Sequence, residues 1–585
     1  MSTTEGEAAG PDPARDRLDA TAAADDAAGG GRESAGRAGR WWHPARWSLS
    51  WSGLVGATVG LWAALSPSLL PRPPLFLGLI GGVGVAVGYG SGVCVAWLLR
   101  LLGIRRWSPP ARAVAWKVLA VAGPLAALTA LVLSGGWQNQ VRVLVGEAPQ
   151  DTSWPFVAVL AAVTAAALVL AGRGVRRVTR LLGRGLGRVL PRRVAVAAAV
   201  VVVGVCGYLL AVGVAEHGLL AMADRVYGAA NDTTDAGVEP VTAPERSGSP
   251  PSLVSWASLG KQGRTFVAGG PSVAEMSALS GRPAMEPIRV YVGVESAPDA
   301  AGRARLAVAE LERTHAFDRA VLVVAGATGT GWLEPQSTAS LEYLWNGDSA
   351  IVTIQYSYLP SWMSTLVDAQ RAADAGRELF DAVHAAWEQQ PVGHRPKLIS
   401  YGLSLGSFAA QSAFATAADI TSRTDGALFV GSPSFSQPWG DITRLRDAPS
   451  PQWQPVYRSG QSVRFAATAT DLAKPGTVWS TPRVVYLQHA SDPVVWWSTD
   501  LILRRPDWLD EPPGPDVEPA MRWWPGLTFV QVTVDQFFGV SVPNGHGHNY
   551  ANTMVAAWVA VTQPAGWSPT QLTTLQALID QMPLT

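Results

Sequence analysis

Cysteine is nearly missing from this chain: Cys94 and Cys206 are the only two in 585 residues, and both sit inside apolar runs. No disulfide framework is therefore available, and a cysteine metal site is excluded on the same count. Charge is scarce as well. Charged residues are 15% of the chain, where a soluble protein carries about a quarter, so part of the chain belongs in lipid. The formal net charge is zero, which excludes a dedicated nucleic-acid binder. The length implies about two to four domains.

Apolar runs, by contrast, are plentiful. Residues 1–45 are rich in Ala, Gly, Asp and Arg without apolar periodicity, and read as a disordered cytoplasmic tail. Five uncharged stretches follow, centred on 51–70, 75–99, 118–134, 154–172 and 194–215. Each is long enough, or nearly so, to cross ~30 Å of hydrocarbon, so 46–222 reads as a transmembrane domain. Arginines cluster before the first stretch, between the second and third (Arg100, Arg105, Arg106, Arg112), and between the fourth and fifth (Arg173 to Arg193). The other connections carry little charge. This alternation predicts a cytoplasmic N-terminus and places everything after about residue 216 outside the plasma membrane. No stretch holds a buried acid or base, so none marks an ion pathway, and the domain reads as a plain anchor.

Residues 223–258, rich in Asn, Asp, Thr, Pro and Ser, read as a linker. From 259 to 585 apolar strands alternate with helices. Strands are expected at 288–294, 320–324, 350–355, 397–401, 427–430, 484–487 and 528–534, and helices at 299–313, 365–389 and 407–418. A last helix opens at Ser568–Pro569. Such alternation predicts a mostly parallel sheet covered on both faces.

The segment Gly402-Leu-Ser404-Leu-Gly406 is G-x-S-x-G between an apolar strand and an Ala-rich helix. That context turns a common pattern into a nucleophile elbow, with Ser404 projecting above the sheet and the Leu405 amide facing a developing oxyanion. A serine needs a base and an acid downstream. Only His489, His546 and His548 follow it. The loop Asn544-Gly-His546-Gly-His548-Asn-Tyr550 opens a helix where this fold presents its base; His548 is preferred, with His546 open as the alternative. His489 suits packing better. Asp492 follows a strand through a short turn and is the expected acid, ahead of Asp441 and Asp471. The Gly-rich turn Gly326–Trp332 follows another strand and is expected to supply the second oxyanion donor, Ala327 or Thr328. No metal or cofactor is expected.

Longer phrases resemble a known family. Leu253-Val-Ser-Trp-Ala-Ser-Leu-Gly-Lys-Gln-Gly-Arg-Thr-Phe-Val, Pro287-Ile-Arg-Val-Tyr-Val-Gly, Gln355-Tyr-Ser-Tyr-Leu-Pro-Ser-Trp362 and Gly545-His-Gly-His-Asn-Tyr, with the elbow, are similar to a bacterial, largely actinobacterial, family of α/β-hydrolases. The resemblance spans about residues 45–565. It implies an N-terminal multi-span domain joined to an extracytoplasmic catalytic domain. Leu403 departs from the acidic residue the family often carries before its nucleophile.

The excursion from Gly431 to Pro482 is too long for a simple connection and is expected to form a lid. Trp332, Trp439 and Trp496 are candidate walls of an apolar substrate pocket. Together these features predict a serine esterase or lipase acting on an acyl ester or envelope lipid beside membrane lipids. An acyltransferase with the same triad, or a non-catalytic membrane scaffold, is the alternative.

Overall fold

The computed structural model describes residues 49–104, 108–213, 220–367 and 369–583; the tail expected over 1–45 lies outside them. Five helices follow the five apolar stretches: α1 (Trp51–Leu65), α2 (Pro74–Leu101), α3 (Pro109–Leu144), α4 (Trp154–Leu186) and α5 (Arg192–Gly213). Among the described residues, only α2 to α5 are long and apolar enough to cross a membrane. The fifteen residues of α1 reach ~22 Å at 1.5 Å each, short of ~30 Å of hydrocarbon. The count of five spans is thus corrected to four and one short helix. The cause is local: Pro67, Pro71 and Pro73 follow α1 closely and cannot continue a helix.

Small residues let α1 and α2 touch backbone to backbone. A Cβ at Gly56 or Gly60 would collide with the carbonyls of Gly88 or Gly84, and the converse holds from α2. Helix association in lipid depends on such close approach, because apolar side chains gain nothing by leaving lipid tails for one another.

The C-terminal half is built on seven strands: β1 (Ile288–Val292), β2 (Val321–Gly326), β3 (Ser349–Ile354), β4 (Lys397–Leu403), β5 (Gly426–Val430), β6 (Val463–Ala466) and β7 (Arg483–Leu487). They are ordered β1-β3-β2-β4-β5-β7-β6, and every pairing is parallel. Almost every strand residue is buried, which is why the strands read as continuous apolar runs. Helices Ala300–Arg313 and Ala369–Glu388 pack together, as do Pro335–Leu344 and Ala551–Thr562. The segment read as a linker lies against β1: the Ser247 amide donates to Arg289 O at 3.0 Å, and the Arg289 amide to Glu245 O at 3.2 Å.

One expected strand is a helix. Residues Leu527–Asp535 bury Leu527, Thr528, Gln531, Val532 and Asp535, the spacing of one helical face. Their alternating β-branched residues mimic a strand, but what Gln531 and Asp535 bind decides the matter. The Gln531 side chain donates to the buried carbonyls of Ala63, Ala64 and Ser66 at the end of α1. Asp535 accepts from Ser68 Oγ, from the Leu69 amide at 3.2 Å and from Arg72 Nε at 2.7 Å. The α1–α2 turn is therefore embedded in the C-terminal domain, with Leu69, Leu70 and Arg72 fully buried.

Candidate active site

Ser404 follows β4 and precedes helix Leu405–Gln411 with φ 59° and ψ −130°, outside the regions L-residues favour. Such a conformation costs about 1–3 kcal/mol and persists only where its surroundings enforce it. Here they do. The Ser404 amide donates to Val430 O at 2.8 Å. Gly402, Gly406 and Gly326 meet so closely that a Cβ on any of them would collide with a backbone carbonyl of another. Behind the turn, Ser407 and Ser432 share a 2.7 Å hydrogen bond, Gln411 Nε2 donates to both hydroxyls, and Tyr486 Oη donates to Gln411 Oε1 at 2.9 Å. This buried network fixes the helix whose first amide, that of Leu405, lacks an intrahelical acceptor.

His548 and Asp492 meet at the end of β5. His548 Nδ1 lies 2.7 Å from Asp492 Oδ2, and Gly431, one residue past the carbonyl that holds Ser404, lies against both. A Cβ on Gly431 would press into His548 Cε1 and stand 3.1 Å from Asp492 Oδ2. The imidazole thus occupies a space only glycine leaves open. Asp492 is wholly buried. Its Oδ1 accepts the Val494 amide at 2.8 Å, and its Oδ2 also accepts Tyr550 Oη at 2.6 Å. Burial, then the charge of Asp492, holds the Tyr550 phenol well above its ordinary pKa, so it stays a donor. His548 Nε2 is buried and has no hydrogen-bond partner among the described residues.

His546 is placed apart. Its Nδ1 is 3.7 Å from Asp516 Oδ2, and its ring packs against Gly146 at the end of α3. Asp516 is buried, which opposes ionisation, yet the contacts of His546, His489 and Ser491 hold its carboxyl below the usual range. Ser491 Oγ donates to Asp516 and accepts the Gly547 amide at 2.8 Å. His489 Nδ1 is 2.9 Å from Gly547 O, and burial lowers its pKa. These groups clamp the loop from beneath. Asp441 pairs with Arg444 and Asp471 with Lys474, away from the loop.

Ala327 and Thr328 lie buried beside the elbow. The Thr328 amide is already bonded to Trp332 O at 3.1 Å. Trp439 and Trp496 are each 2% exposed and pack on each other at 6.1 Å between centroids. Their indole N–H groups are bonded to Gln488 Oε1 and His489 O, so they fasten the excursion to the core. Trp332 lines a separate cavity of about 110 Å³ with Phe266 and Arg289.

Sequence reasoning missed Tyr550 as the second donor to Asp492, although it stood in the loop. It also missed Asp516, which sits in an irregular segment without periodicity.

A parallel sheet with a strained serine at a strand–helix turn, and a histidine–aspartate pair at the neighbouring strand ends, defines a protein of the hydrolase fold. Residues 288–575 match a family described as the alpha/beta-hydrolase family, and residues 65–271 match its N-terminal part. The chain belongs to this family, membrane-associated half included. Neither curated proteins nor solved structures gave a match.

Proposed function

We propose that the chain is a membrane-anchored serine hydrolase cleaving carboxylic esters. One observation carries the reading: His548 is fixed at Nδ1 by Asp492 while its buried Nε2 has no partner among the described residues, at the strand end that also holds the strained Ser404. Ser404 Oγ attacks the ester carbonyl as His548 Nε2 takes its proton, and the Leu405 and Ala327 amides hold the oxyanion. The imidazolium, stabilised by Asp492, returns the proton to the leaving alcohol. Water then repeats the cycle and frees the acid; an alcohol in its place gives acyl transfer.

The substrate in this reading is an acyl lipid. The histidine loop rests on the membrane domain: Leu70 lies against Gly547, and Phe76 of α2 meets the Phe538 ring edge-on at 5.0 Å. Phe537 and Val540 beside it are each 52% exposed, an apolar rim at the level of the helix ends. The arginines of the α2–α3 and α4–α5 connections, taken as cytoplasmic, leave this rim on the outer side.

A fluorophosphonate probe tests the chemistry. Native protein is expected to label and Ser404→Ala to stay unlabelled; native protein that labels no better than Ser404→Ala overturns the enzyme reading. A membrane-impermeant form of the probe is expected to label intact cells. Labelling only after lysis reverses the orientation.

A further inference from the structure

The joint between the two halves leaves hydrogen-bond donors unused. Arg72 is wholly buried, and Asp535 reaches only its Nε, at 2.7 Å. Its Nη1 and Nη2 have no partner among the described residues. Gln138 of α3 adjoins the same residue: its Oε1 accepts the Arg72 amide at 2.9 Å, while its Nε2 is buried and orphaned too. Ser134, one turn earlier on the same buried face of α3, has an unpartnered Oγ. Against these donors the joint sets one orphaned carbonyl oxygen, Gln531 Oε1, a turn before Asp535.

A buried donor without an acceptor forfeits its hydration and gains nothing in return, and a charged donor forfeits most. The two Nη atoms bear four N–H groups and Gln138 Nε2 bears two more. Water relieves such donors only by bringing protons of its own to a place where acceptors are already short. An anion accepts and donates nothing. Charge points the same way: Arg72 and Arg142 are buried, Asp535 is their one buried carboxylate, and Glu147, 3.9 Å from Arg142, is 25% exposed. The depth of the site limits the size of the occupant. Arg72, Ser134 and Gln138 are all closed to solvent, which suits an ion of one atom rather than a headgroup.

We propose that Arg72 and Gln138 bind a halide ion, with Nη1 and Nη2 on one side of it and Gln138 Nε2 on the other. The ion ties the α1–α2 turn to α3. Leu70, two residues before Arg72, lies against Gly547, so the ion also steadies the floor beneath the histidine loop. The site does not rest on the hydrolase reading. Its readout is stability rather than ester cleavage, so the two fail separately.

The test uses the full chain in detergent, its melting followed by tryptophan fluorescence in sodium chloride, bromide or gluconate at equal ionic strength. Chloride and bromide are expected to raise the melting temperature over gluconate by roughly 2–4 °C, with a saturable dependence on halide. Gln138→Glu keeps an oxygen for the Arg72 amide and puts a negative one in place of Nε2. This variant is expected to melt in gluconate near the temperature the native chain reaches in chloride, and to ignore halide. Arg72→Met/Asp535→Leu, which removes the guanidinium together with its carboxylate, is expected to lose the response as well, and keeps the test open if the first variant misfolds. Arg180→Gln, near the far end of α4, is expected to respond as the native chain does. Equal melting in the three salts would assign the donors to ordered water and overturn the proposal. A rise that never saturates, or one retained by Arg72→Met/Asp535→Leu, would overturn it too.

Discussion

At the scale of single residues, the candidate site is governed by who donates to Asp492. His548 and Tyr550 share its Oδ2, so the phenol helps to fix the carboxylate that orients the imidazole. Tyr550→Phe removes one charge-assisted hydrogen bond of about 1.5–3 kcal/mol. If that stabilisation is used in the rate-limiting step, kcat toward a chromogenic ester falls by about ten- to hundredfold with little change in KM. Glu334 offers a different test. It is fully buried, its Oε2 has no partner, and burial raises its pKa from 4.5 to about 8. The folded state then holds a proton that the unfolded state releases above pH 4.5, so this contribution to stability is complete below pH 4.5 and is lost as pH rises to about 8. Glu334→Gln should therefore melt higher than the native chain at pH 9, by a few kcal/mol in stability, with the difference vanishing near pH 5. A pH-independent difference in melting temperature would contradict this. Ser404 and Asp492 were legible because each sits a few residues past a strand, and His548 because its glycine-rich loop opens the helix Ala551–Thr562. Tyr550 had no such offset to announce its contact.

Elements carry the next lesson. Six of the seven strands were readable as apolar runs, since a parallel sheet buries both faces. β6 was not, because Val463–Ala466 is four residues long and contains Arg464. That guanidinium is satisfied by the carbonyls of Gly460, Leu472 and Thr477, contacts that only the folded excursion supplies. Leu527–Asp535 was misread for the opposite reason: its composition favours a strand, and its partners on α1 and the following turn demand a helix. The Arg72–Asp535 pair at this joint is fully buried. Asp535→Asn leaves Arg72 charged and unmatched, an expected cost of about 3–5 kcal/mol, measured as a lower melting temperature of the detergent-solubilised chain. Arg72→Met with Asp535→Leu removes both charges and should recover most of the loss. A double variant no better than Asp535→Asn would show that the charges themselves are needed.

For the whole molecule, hydropathy separated an apolar helical half from a half with the hydrolase fold. Their mutual embedding was not legible in the sequence. Nothing in the pattern of residues 66–72 distinguishes a loop in water from one buried 460 residues away along the chain. A fragment beginning at residue 220 should expose Gln531, Asp535 and the underside of Gly547, and is expected to aggregate or to fail to label with fluorophosphonate. Full labelling of that fragment would make the membrane half a mere tether.

The embedded turn also has a consequence in time. Ribosomes make the helices first, and the turn between α1 and α2 is in place long before Asp535 or His548 is synthesised. On the proposed membrane reading, the later domain matures on a turn already seated in the bilayer, whose Leu70 packs against Gly547 of the histidine loop. On that same reading anchorage licenses activity and confines the proposed esterase to the surface it was built on.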